Sequence, residues 1–178
     1  LLIDVISDFE FDHGEELFKY ALPMAKNIEK FKKTAKIAKI PVIYINDNFG
    51  KWQEDFRKMV EYCSESSVRG NEIVKLLKPD ADDYYILKPK HSAFYSTALD
   101  LLLRDFAAET LILTGVSTDI CILFSANDAY MRDYKLLIPR DCVAAVKSED
   151  SERTLDYVER VLKADIRPSN EINLKEIV

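Results

Sequence analysis

Three side chains in this sequence are of the types needed for acyl transfer. They are an acid in "LLIDVI" (Asp4), a base in "DYYILK" (Lys88) and a thiol in "GVSTDIC" (Cys121). The thiolate is the nucleophile, so such a cysteine needs a proton acceptor or a cation beside it. A cysteine in the first turn of a helix gains from free backbone amides and the helix dipole, and a nearby ammonium would lower its pKa further. An adjacent carboxylate would accept the thiol proton, and N–H groups at the turn into the helix would hold an oxyanion. The chemistry is then attack on a carbonyl, formation of a thioester and release of an acid by water. Each residue also has a plainer reading. A lone cysteine in an apolar helix is commonly a small buried hydrophobe. An acid within an apolar run is costly unless paired, so Asp4 fits a structural salt bridge as well as catalysis. Lys88 by itself fits a surface lysine at a strand end.

The elements around them decide whether they can meet. "LLIDVI" reads as a short buried strand ending near Asp4. Met24, Ile28, Phe31, Ala35 and Ala38 recur at helical spacing, and Pro41 ends that helix. "PVIYIN" predicts a second strand over 42–46, and "DYYILK" a third ending at Lys88, where Pro89 favours extended backbone. Leu99, Leu102, Leu103 and Phe106 mark a helix capped by Ser96 or Thr97. "TLILTG" is a fourth strand, 118–131 a buried helix, and "KLLIPRD" a fifth strand. Leu155, Val158 and Leu162 stripe a last helix, and a weak strand is expected near 164–166. The stretch 47–82 is partly helical and is not resolved by periodicity. Apolar strands alternating with helices predict a three-layer α/β/α architecture. Its core is a doubly wound, mostly parallel sheet of about six strands in one domain over 1–178. In such a sheet ligands bind beyond the carboxyl ends of the strands, the edge on which Asp4, Lys88 and Cys121 would all open.

Three blocks resemble the isochorismatase-like cysteine hydrolases, a family that includes nicotinamidases and N-carbamoyl amidohydrolases. They are "LLIDVISDF", "LKPKHSAFYSTALDLLLR" and "LILTGVSTDICILFSANDAYMRDYKLLIPRDCVAA". The resemblance implies that Asp4 is the general base, Lys88 an orienting and charge-balancing ammonium, and Cys121 the nucleophile. It also implies a cis peptide at Val116–Ser117, which would aim the Ser117 and Cys121 amides into an oxyanion hole. Phe9, Phe94 and Val116 are then candidate pocket walls. Trp52 joins them as the lone tryptophan in the loop after the second strand. As core aromatics they would look the same. Ile6 and Ser7 stand where the family usually has Gln and Asn. Nicotinamidases hold a metal with an Asp and several His after the second strand. Here "INDNFGKW" offers Asp47 and no histidine, so no metal and no organic cofactor are expected. Nicotinamide becomes a poorer substrate on that count, and isochorismate is disfavoured because its vinyl ether hydrolysis does not need the retained thiol.

The implied function is a metal-independent hydrolase of a small amide or related C–N bond, acting through a Cys121 thioester. A redox sensor, or a binding protein on the same fold, is the alternative. His91 reads as a partly exposed loop histidine that could face the pocket, and Cys63 and Cys142 as packing or surface thiols. The net charge is −6 over 178 residues, with acids and bases interspersed, which leaves no basic face for nucleic acid. No apolar run reaches the roughly 20 residues of a membrane span. No signal peptide is visible, the chain opens at Leu1 without Met, and the three cysteines have no framework spacing. A reducing, cytoplasmic setting is expected. Oligomeric state is left open, with a homo-oligomer one outcome.

Overall fold

The computed structural model describes residues 1–177. Seven strands run in it: β1 (Leu2–Ile3), β2 (Ile43–Asp47), β3 (Tyr84–Lys88), β4 (Thr110–Ile112), β5 (Thr114–Val116), β6 (Lys135–Leu137) and β7 (Val143–Ala144). Every pairing between them is parallel, in the orders β3-β2-β1-β5-β7 and β4-β6. The two ladders are continuous. Only Leu113 separates β4 from β5, and its N–H bonds Leu137 O at 2.9 Å while the Thr114 N–H bonds Leu1 O at 3.0 Å. The predicted fourth strand is therefore one extended run that changes partners midway. The last predicted strand survives as a bridge between Leu137 and Asp165 at the sheet edge.

Alternation along the strands builds the layers, because successive side chains point to opposite faces. Leu2, Tyr44, Val116 and Ala144 pack into one apolar cluster with Leu17, Ala21, Ile28, Phe56 and Ile73. Those partners come from α1 (Gly14–Ile37), α2 (Phe56–Cys63) and α3 (Asn71–Leu76). Ile3, Ile43, Ile45 and Val143 pack into a second cluster with Leu99, Ala126 and Leu155. These lie on α4 (Leu99–Asp105), α5 (Leu123–Tyr130) and α6 (Ser148–Leu162). The sheet is thus covered on both faces, as an all-parallel sheet requires.

Two elements differ from the sequence expectation. α1 starts ten residues before Met24, and its apolar stripe extends back through Ala21 and Leu17. Pro23 lies inside it; the missing N–H costs one helical bond, but burial of the whole stripe carries the helix through. The helix expected over 118–131 opens instead as a π-type turn, Thr118–Ile122, before α5. The stretch 47–82 holds α2, which Asp55 caps by accepting the Arg57 N–H, and the short α3.

Candidate active site

β1 lies between β2 and β5, and strand order reverses there. A crevice at the carboxyl ends of strands forms at such a switch point. Gly115 makes the close pairing possible. Its φ is +117°, and a Cβ there would stand 2.0 Å from Ile3 O. Only glycine lets the "GV" of the thiol motif run against the strand that carries the acid.

Asp4 follows β1 directly with a positive φ of 52°, a conformation aspartate tolerates better than most residues. Its N–H bonds Ile45 O at 2.8 Å, which fixes the turn. Oδ1 then accepts the Asp47 N–H at 2.8 Å, and Oδ2 meets Lys88 Nζ at 2.9 Å. Lys88 ends β3 opposite Asp47 in the ladder, and its side chain is 0% exposed. The ammonium also reaches Asp47 Oδ2 at 3.4 Å and donates to Cys121 Sγ at 3.6 Å. Cys121 lies in the π-type turn, a distortion frequent at functional sites. Ser125 Oγ donates to the Cys121 carbonyl at 2.6 Å. The structure therefore brings Asp4, Lys88 and Cys121 together at one rim of the sheet.

The charges set one another. Burial raises the Asp4 carboxyl above its ordinary range, against the attraction of Lys88 and the Cys121 hydrogen bond, which lower it. Burial alone would lower Lys88, but Asp4, Cys121 and Asp47 outweigh it and the ammonium is held more firmly than usual. Burial pushes the Cys121 thiol up to about 12, and the Asp4 charge adds to this more than Lys88 relieves it. This reverses the expectation of a lowered thiol. The turn is buried and the Asp4 carboxyl stands beside the sulfur, and both favour a neutral thiol.

The other expected residues fall as follows. The Val116–Ser117 peptide is cis. Ser117 O accepts the Ile120 and Ile122 N–H groups, both at 3.1 Å, and its hydroxyl donates to Asp119. Val116 is buried in the first cluster. Phe9 is 1% exposed and packs edge-on against Phe18. Phe94 is 4% exposed under the Arg132 guanidinium. Both are thus core aromatics, because their loops fold inward over the two clusters. Trp52 is 83% exposed. Cys63 and Cys142 are buried free thiols. His91, read as a partly exposed loop residue, is exposed yet has Nδ1 4.0 Å from Cys121 Sγ. Asp47, considered above only as a metal ligand, is a second carboxylate on Lys88. Ser125 was not singled out from sequence, and its spacing of four from Cys121 on one helix face was the available signal.

The residues after β2 do not fit a metal. Asp47 Oδ1 accepts the Phe49 N–H at 2.6 Å, its other oxygen faces an ammonium, and 48–55 contain no histidine. Among the described residues, the acid cluster with suitable spacing is Asp80, Asp82 and Asp83, which Lys32 and Lys36 already engage in ion pairs. No helix among them is long and apolar enough to cross a membrane.

The isochorismatase domain family matches residues 1–165. The uncharacterized isochorismatase family protein YaaI of Bacillus subtilis (strain 168) is 42% identical over 97% of this chain and 94% of its own length. Among solved structures, N-carbamoylsarcosine amidase from Thermoplasma acidophilum superposes with a TM-score of 0.74 at 28% identity, over 97% of this chain and 96% of that one. The pyrazinamidase/nicotinamidase of Streptococcus mutans UA159 does so at 0.72 and 27%, over 93% and 97%.

Proposed function

The chain belongs to the isochorismatase family of hydrolases, and from that premise we propose that it is a metal-independent cysteine amidohydrolase. Its substrate is a small amide or related C–N compound, cleaved through a thioester on Cys121. One observation carries the reading. The Asp4 carboxylate, the Lys88 ammonium and the Cys121 sulfur stand in mutual contact, with Lys88 Nζ 2.9 Å from the acid and 3.6 Å from the sulfur.

The geometry supports this sequence of events. Asp4 takes the thiol proton as Sγ attacks the carbonyl carbon, and the C=O pair moves onto oxygen. A raised carboxyl is the stronger base, so the burial that hinders Asp4 ionisation helps it accept that proton. Lys88, buried and firmly charged, balances the negative charge that passes from carboxylate to substrate. The amides of Ser117 and Cys121 are assigned to the oxyanion. Collapse expels the amine and leaves the thioester, which water hydrolyses.

A redox sensor needs a reactive thiol but no acid poised to take its proton, so the Asp4 carboxyl hydrogen-bonded to Cys121 favours the hydrolase over it. The metal-binding manner of a nicotinamidase is not adopted, given Asp47 held against Lys88. Three free cysteines fit a reducing, cytoplasmic setting.

Ammonia release across a panel of primary amides and N-carbamoyl compounds tests the reading, with Cys121→Ala as the control. Turnover that needs the thiol is expected. Turnover equal in the alanine variant would remove Cys121 from the chemistry.

A further inference from the structure

The sulfur of Cys121 has two sides. On the buried side stand Lys88, with no exposure, and Asp4, with 16% of its side chain exposed. On the open side stands His91, exposed, with Nδ1 4.0 Å from Sγ. Phe124, on the helix that follows the cysteine, backs the imidazole at 5.5 Å between ring centres.

This placement is built rather than left to a loose loop. Ser92 Oγ donates to Asp128 of α5 and accepts the Phe94 N–H at 3.2 Å. The Ala93 N–H donates to Ser125 Oγ at 2.9 Å, and that same hydroxyl donates to Cys121 O at 2.6 Å. One serine therefore ties the backbone two residues after His91 to the backbone of the nucleophile. The segment from Lys88 to Ala93 passes from the inner face of the sulfur to its outer face and is pinned at both ends.

We propose that His91 is a catalytic residue of this site, the proton carrier on the open side of the sulfur. The inference rests on the Cys121 hydrolase reading and goes beyond its acid–ammonium–thiol set. A departing nitrogen leaves toward solvent, and His91 stands exposed beside the sulfur whereas only 16% of the Asp4 side chain is exposed. An amide nitrogen leaves poorly as an anion and needs a proton as the C–N bond breaks. An imidazole can carry a proton on either ring nitrogen and exchange it near neutral pH.

The protons then balance without passing around the sulfur. Asp4 takes the thiol proton, and the imidazolium of His91 gives its proton to the nitrogen that keeps the C–N electron pair. In the second half, neutral His91 takes a proton from the water that attacks the thioester. The C–S pair returns to sulfur, Asp4 returns the thiol proton, and acid and amine are released with each group restored.

Acylation measured before steady state tests this. The probes are the primary amide best cleaved in the panel above and the p-nitrophenyl ester of the same acid, whose phenolate departs without a proton. In His91→Gln, and in His91→Asn as a second variant, the amide's acylation rate is expected to fall about a hundredfold more than the ester's nitrophenolate burst, as for loss of one acid–base group. An unchanged amide-to-ester ratio overturns the His91 role and leaves the Cys121 reading standing. Absence of both burst and ammonia release in the unaltered protein overturns the Cys121 reading, and the His91 role falls with it.

Discussion

At the residue, the chemistry is a contest over one proton. The thiol is pushed up to about 12 while Asp4 stays beside it, and Lys88 pulls the other way. Replacing Asp4 by Asn removes the charge that raises the thiol and leaves the ammonium that lowers it. Turnover should fall by about 10²- to 10⁴-fold, the worth of one acid–base group. In the same variant the thiol pKa should drop, read as faster iodoacetamide alkylation of Cys121 at neutral pH. Loss of turnover with no change in alkylation would mean that the acid is not the thiol's partner. The wild-type profile has a sign fixed by Asp4. The carboxyl must be ionised to act and is raised above the usual carboxylate value of about 4. The acid limb of kcat/KM should therefore fall away at a pH above that value. Asp4, Lys88 and Cys121 were legible in sequence because each ends or follows an apolar run. Asp47 was not, because its contact with Lys88 depends on the register of β2 against β3.

Among the elements, two contacts hold the strand ends in place. Gly115→Ala would add a Cβ 2.0 Å from Ile3 O at a φ that alanine resists. A loss of at least about 2 kcal/mol is expected from strain and overpacking, measured by urea unfolding, and activity should suffer with it. Normal stability in that variant would show that β1 and β5 have slack. Farther from the site, Lys32 and Lys36 of α1 pair with Asp83 at 2.6 Å each, just before β3. Lys32 and Asp83 are nearly enclosed, so Asp83→Ala leaves a buried ammonium short of its partner and should cost about 3 kcal/mol. A change within error would mean Asp80 alone suffices. Helices and strands were largely readable from their stripes. The first half of α1 was masked by Pro23 amid charged residues, and the change of partner at Leu113 leaves no trace in an unbroken apolar run.

Across the whole molecule, the sheet divides the interior into two clusters that the parallel order covers on either side. The architecture is kept at 28% identity to an amidase, which shows how few positions it demands. Cys63 and Cys142 lie in the cluster beneath α1, and burial pushes both thiols to about 12. In native protein a thiol reagent should therefore reach Cys121 and leave these two untouched, and the two should react only on unfolding in urea. Fast native reaction of Cys63 or Cys142 would reveal local opening of that half. The partition has a further outcome. Cys121 packs with the second cluster, and α6 reaches its turn directly where Ser151 bonds Thr118 at 2.9 Å. The nucleophile and the helix bonded to its turn both lie with the second cluster, so the α1 half is the place to absorb evolutionary drift or thermostabilising redesign while the reactive half keeps its tuning.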